Sequence, residues 1–173
     1  MRLMKYKILS KQNNSAMCFV CGTKNSSSAG AKFYQCENAE GEAVLVGVFQ
    51  PQDIHQSYPG RMHGGIASAI LDESIGRAMQ ITRPDIWGVT MELTTKFRAP
   101  VPLDQPLYCE TKITKVQSRV FEGEGKLFCA DGKTLVSAFG RFMILSVDKI
   151  AGEGMDEENW FYVQEELPPI LEI

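Results

Sequence analysis

One stretch of the chain, from about Gly64 to Gln80, is apolar or small around almost the whole circumference of a helix. Thr82, Arg83 and Pro84 close it. At about 100° per residue, only Glu73, Arg77 and Gln80 gather on one polar side, and Glu73 and Arg77 hold the i,i+4 spacing of a supporting ion pair. A helix this apolar has to be surrounded. The rest of the chain offers strands to do it.

Lys32 to Phe49 reads as two strands joined by a turn at Glu40-Gly41, the second apolar on both faces and therefore central. Val89, Met91, Leu93, Thr95 and Phe97 alternate with Thr90, Glu92, Thr94, Lys96 and Arg98, the period of a half-buried strand, which Pro100 and Pro102 end. Leu107–Val116, Arg119–Cys129 and Thr134–Val147 follow as an antiparallel meander, the last two joined at Asp131-Gly132. The predicted fold is α+β: a curved antiparallel sheet of five or six strands wrapped around one long central helix.

The 173 residues, 44% hydrophobic and 23% charged, suffice for one core and exclude global disorder. A net charge of −3 supplies no basic field for nucleic acid. MRLMKYKILS interleaves charges with apolar groups, which predicts neither a signal peptide nor a membrane span and a cytoplasmic location. Residues 148–173 hold eight acidic side chains against one lysine, so they read as a separate acidic C-terminal tail whose Trp160, Phe161, Tyr162 and Val163 can dock on the domain or on another protein. Five cysteines are an odd set that suits free thiols. Within an N-terminal segment, 1–31, Cys18-x2-Cys21 lacks the second ligand pair of a structural zinc site, even with Cys36 as a third ligand, and no strand and helix frame it as in a thioredoxin-like unit. It reads as two small, buried, inert thiols.

Asp72 is the polar residue the helical wheel leaves unexplained, flanked by Ala69, Ile75, Gly76 and Met79. Loss of hydration there raises a carboxyl pKa and makes a better base if a cleft lies beside it; the competing reading is a carboxylate bonded to a neighbouring loop. At the helix start, His63-Gly64-Gly65 leaves backbone N–H groups uncovered where the helix dipole concentrates positive potential. Such an end takes an anion or a developing oxyanion, unless the glycines serve only a tight turn.

The run His55-Gln56-Ser57-Tyr58-Pro59-Gly60-Arg61-Met62-His63-Gly64-Gly65, with Asp72 nine residues after His63, strongly resembles the hot-dog-fold acyl-CoA thioesterases of the phenylacetate-degradation (PaaI-like) type. Cys18-Phe19-Val20-Cys21-Gly22-Thr23-Lys24-Asn25 and the strand ending in Ala99-Pro100 are similar to segments of the same superfamily. The resemblance covers roughly residues 17–147 and implies a hot-dog thioesterase-like domain over 32–147. It implies Asp72 as general base or nucleophile, the N–H of Gly64 or Gly65 as oxyanion donor, and Thr90 as a hydroxyl positioning water. Relatives often carry Asn where this chain has Ser57, which leaves the second oxyanion donor open, with His55 and Gln56 as the candidates. The substrate-binding candidates are His55, Ser57, His63, Glu73, Arg98 and Arg119, with Lys115 a further cation for coenzyme A.

Gly64 and Asp72 are separated by about 12 Å of helix, too far to share one thioester within a chain. A two-fold mate brings the helix start of one copy to the carboxylate of the other, which predicts a homodimer or a dimer of dimers. The expected partner is an acyl-CoA substrate, with coenzyme A entering as part of it and no metal or other cofactor. A hot-dog hydratase or dehydratase would need His55 or His63 beside Asp72. A non-catalytic acyl-CoA-binding protein would keep the pocket without needing the carboxylate.

Overall fold

The computed structural model describes residues 4–173; residues 1–3 of the N-terminal segment 1–31 lie outside the described residues. In chain order the strands are β1 (Lys5–Lys11), β2 (Asn14–Ser15), β3 (Lys32–Glu37) and β4 (Ala43–Phe49). After the helix α1 (Gly64–Ala78) come β5 (Trp87–Phe97), β6 (Leu107–Val116), β7 (Val120–Phe128) and β8 (Thr134–Leu145). A short helix α2 (Val147–Ala151) leads to β9 (Trp160–Phe161) and β10 (Ile170–Glu172). One sheet runs β10-β1-β3-β4-β6-β7-β8-β5, every pairing antiparallel, while β2 and β9 form a separate ribbon. Among the described residues no helix is long and apolar enough to cross a membrane.

The sheet has eight strands rather than five or six. The two additions are β1, whose apolar positions are only Tyr6, Ile8 and Leu9 among lysines and serine, and β10, three residues long and below what alternation can reveal. Each covers an edge of the other: β10 pairs β1 through Lys5 to Lys7, and β1 pairs β3.

The helix lies in the concavity of the sheet. Ala67, Ile70, Leu71, Ile75 and Ala78 pack with Phe49, Leu107, Phe121, Leu127 and Phe142, and burying each large side chain contributes about 1.5–3 kcal/mol. Gly125 of β7 permits this closeness: a Cβ there would stand 2.5 Å from Thr111 Cγ2 and 3.4 Å from Leu71. Thr111 also donates to the Ser74 carbonyl at 3.0 Å, tying β6 to the helix backbone.

In β5 the alternation breaks. A bulge between Thr90 and Glu92 inserts one residue opposite β8, so Leu93 and Phe97 face α1 in one phase and Thr90 and Gly88 face it in the other. Val89 and Met91, expected on the half-buried face, are 42% and 52% exposed. As the last strand of the sheet, β5 leaves its outer edge unpaired.

The chain after α2 folds back on its own domain. Glu165 receives Lys32 Nζ at 2.7 Å, the Tyr34 hydroxyl at 2.8 Å and the buried Lys11 Nζ at 3.1 Å, and Lys11 also donates to the Val163 carbonyl. Burial alone would raise the Glu165 pKa, but the hydrogen bonds from Lys32, Tyr34 and Lys11 hold it down at about 2. A depressed carboxylate stabilises the fold fully above its unfolded value of 4.5, and that contribution is lost as pH falls toward about 2. The Trp160 fluorescence should therefore report release of this segment between those values, and Glu165→Gln should already show the loosened state at neutral pH. An acid profile identical in the variant would count against this anchor.

Candidate active site

His63 occupies the N-cap of α1 with extended backbone, and its Nδ1 accepts the Gly65 N–H at 2.9 Å. That leaves the Gly64 N–H, for which no acceptor is found among the described residues. The ring of Phe97, from the far end of β5, stands 3.3 Å from where a Gly64 Cβ would be. The approach to this amide is thus walled by an aromatic edge, and glycine is the residue that leaves it open.

Two turns down the helix, half-buried Asp72 faces β5. Its Oδ1 accepts the Thr90 hydroxyl at 2.8 Å. Burial raises the carboxyl pKa above its ordinary value; the Thr90 hydrogen bond opposes this and neighbouring Glu73 adds to it. The carboxyl opens on a cleft of about 120 Å³ whose walls include Gly76, Ile86, Trp87, Thr90, Phe142 and Trp160. A desolvated but reachable carboxylate, oriented by a hydroxyl and backed by aromatic rings, can accept a proton from water or attack an electrophile.

Glu73 turns to Arg77, whose Nε donates to it at 2.7 Å. Arg77 is 5% exposed and engaged at all three nitrogens: it also donates to the Asn13 carbonyl at 2.8 Å and to Cys21 Sγ at 3.0 Å, and lies between the Phe33 and Trp160 rings at 4.6 and 4.5 Å. The expected ion pair is present, and it belongs to a larger cluster. Trp160 meets Trp87 at 5.1 Å, so the C-terminal segment supplies a wall of the Asp72 cleft. Sequence reasoning singled out Trp160 as able to dock, but its partners lie on distant elements and carry no local signal.

The remaining candidates are scattered. His55 is buried, its Nδ1 accepting the Gln52 N–H at 3.1 Å and its Nε2 donating to the Ser27 carbonyl at 3.1 Å. Both nitrogens hold loops, so no ring atom is free for substrate in this chain. Its carbonyl receives the His63 N–H at 2.9 Å, which braces the helix start. Ser57 is exposed in the loop before α1, its own N–H bonded to the Arg61 carbonyl. Exposed Arg98 borders a groove of about 450 Å³ with Lys96, Lys112 and Lys126, on the face of the sheet turned away from Asp72. Arg119 and Lys115 are exposed at the β6–β7 turn, near the Trp87 end of β5, whereas Arg98 lies beyond its Phe97 end. Neither His55 nor His63 lines the Asp72 cleft.

Cys18 is half-buried, which departs from the expectation of two buried thiols, while Cys21 is buried. Their sulfurs and a Glu73 carboxylate oxygen lie within 4.8 Å of one another. The guanidinium of Arg77 already contacts two of these three groups, so the set is short of the four ligands of a structural zinc centre and its positive charge is supplied by a side chain.

Residues 59–136 match a model of the thioesterase superfamily. Acyl-coenzyme A thioesterase THEM4 of Xenopus laevis is 26% identical over 98 residues, which is 56% of this chain and 43% of that protein. The chain spans less than half the length of the curated relatives it matches. A thioesterase superfamily protein of solved structure is 27% identical with a TM-score of 0.62, covering 73% of this chain and 59% of the other. BH2602 protein of Bacillus halodurans, solved with CoA, shares the fold at 24% identity and a TM-score of 0.55, covering 63% of this chain and 71% of the other.

Proposed function

We propose, from the premise that residues 59–136 match the thioesterase superfamily within a hot-dog sheet and helix, that this protein hydrolyses acyl-CoA thioesters in the manner of the phenylacetate-degradation type. The observation that carries the reading is the Asp72 carboxyl, desolvated and held by Thr90 at an open cleft on the same helix whose first amide, Gly64 N–H, has no acceptor among the described residues. Ionised Asp72 takes the proton of an attacking water, or attacks the carbonyl itself to give an acyl anhydride that water then cleaves, returning the carboxylate. The Gly64 N–H stabilises the oxyanion, and the tetrahedral adduct expels a thiolate that needs little protonation. One oxyanion donor of this kind contributes about 3–4 kcal/mol in the transition state. The THEM4 similarity supports coenzyme A as the thiol, and the CoA-bound fold neighbour is consistent with it. The reading needs no metal or organic cofactor beyond the coenzyme A of the substrate, and a cytoplasmic site of action goes with it.

Within one chain the two halves of this machinery stay about 12 Å apart along the helix. They follow opposite ends of the same edge strand: Asp72 touches Thr90, and Gly64 lies under Phe97. Antiparallel pairing of β5 with β5 of a second copy brings the Thr90 end of one toward the Phe97 end of the other, and it covers the unpaired outer edge of β5. A dimer, or a dimer of dimers, then carries two equivalent sites.

Thiol release from a panel of aromatic, short and long acyl-CoA esters tests the reading, with sedimentation run on the same sample. Cleavage of at least one ester well above buffer by a species of two or four times the chain mass is expected. A monomer with full activity would remove the shared-site geometry, and no cleavage of any ester would leave the binding-protein alternative.

A further inference from the structure

We propose that Cys18 and Cys21 form a reversible dithiol–disulfide couple, with Cys18 as the attacking sulfur and a low-molecular-weight disulfide as the oxidant. The pair sits in one tight turn, closed by the Gly22 N–H donating to the Cys18 carbonyl at 2.8 Å. A Cβ on Gly22 would collide with that carbonyl, so glycine after the second cysteine is what lets the turn close. Residues three apart in a single turn bring their Cα atoms within the range a disulfide spans, and the two sulfurs already lie within 4.8 Å.

The environments of the two thiols differ in the way such a couple requires. Cys18 Sγ is half-exposed and accepts the N–H groups of Val20 at 3.3 Å and Cys21 at 3.5 Å, donors that stabilise a thiolate. Its hydrogen bond from Cys21 outweighs burial and holds its pKa at about 7. Cys21 is 1% exposed, and its hydrogen bond to Cys18 together with burial pushes its own pKa up. Arg77, clamped between two aromatic rings, stands 3.0 Å from Cys21 Sγ and supplies positive charge as that thiol loses its proton. Cys36, Cys109 and Cys129 are buried with pKa values raised by desolvation, which makes them internal controls.

The exchange balances without a further reagent. Cys18 thiolate attacks one sulfur of the small disulfide, whose S–S bond breaks and releases one thiolate. Cys21 then gives up its proton and attacks Cys18 Sγ, breaking the mixed disulfide and releasing the second small thiol. Two protein thiols are oxidised, one small disulfide is reduced to two thiols, and the protons end on the released thiols.

The test uses the full chain titrated with oxidised and reduced glutathione, alkylated and mapped by mass spectrometry. The expected result is a peptide lighter by two hydrogens that links Cys18 to Cys21, restored by dithiothreitol, with Cys36, Cys109 and Cys129 unchanged. Cys18 alkylation should rise through a midpoint near pH 7. In Cys21→Ala that midpoint should move upward, and the reaction should stop at glutathione on Cys18. The proposal is overturned if Cys18 alkylates no faster than Cys129, if no Cys18–Cys21 bond forms at any glutathione ratio, or if wild type retains the mixed disulfide. None of these readouts depends on thioester hydrolysis.

Discussion

Asp72→Asn should lower thiol release from the preferred acyl-CoA ester by about 10²–10⁴-fold, the usual contribution of a positioned base. The amide matches the carboxylate in size, and its oxygen can still accept the Thr90 hydroxyl, so the unfolding midpoint should stay close to wild type. The pH dependence makes the test sharper. A base works ionised, and burial raises the Asp72 pKa above 3.8, so the rate should fall on the acid side through a midpoint above that value. Thr90 lowers this pKa by donating to the charged form. Thr90→Val should therefore move the acid limb to still higher pH while retaining part of the rate at its plateau. An Asp72→Asn enzyme as fast as wild type would remove the carboxylate from the mechanism.

The second large effect is on stability. Arg77→Met removes a guanidinium that bonds Glu73, the Asn13 carbonyl and Cys21 and stacks between Phe33 and Trp160. Breaking a buried ion pair by deleting one partner costs about 3–5 kcal/mol. Because the Glu73 side chain keeps 31% of its surface in water, the loss should lie near the lower end, about 3 kcal/mol. Urea unfolding with an unchanged slope would measure it. Arg77→Lys should recover less than half, since an ammonium cannot span all three acceptors or stack as a plane. A loss under about 1 kcal/mol, the scale of an exposed pair, would show that the cluster is not cooperative.

Much of the site was legible because its signals are local. A helix apolar nearly all round calls for a surrounding sheet, and that sheet is present, with β4 in its interior as its two-faced apolar run requires. The i,i+4 pairing of Glu73 with Arg77 follows from helix geometry alone. Asp72 stood out because its helical neighbours are apolar, and its desolvation in the structure follows from that company. The choice between Gly64 and Gly65 was not local in the same way: both amides are uncovered by the sequence pattern, and the rotamer of His63 occupies one of them.

The sequence by itself determined α1, strands β3 to β8 and the position of the carboxylate along the helix, since each depends on the identity of residues within a turn or two. Tertiary structure decided which groups meet. Strict alternation assigns Thr90 to the face opposite Leu93 and Phe97, and only the bulge before Glu92 turns its hydroxyl toward Asp72. The Trp160 wall, the Arg77 cluster and the strands at the far edge join residues tens of positions apart. Contacts of that kind are set by how twisted, bulged strands fill space around the helix, and no periodicity in one segment encodes the shape of another.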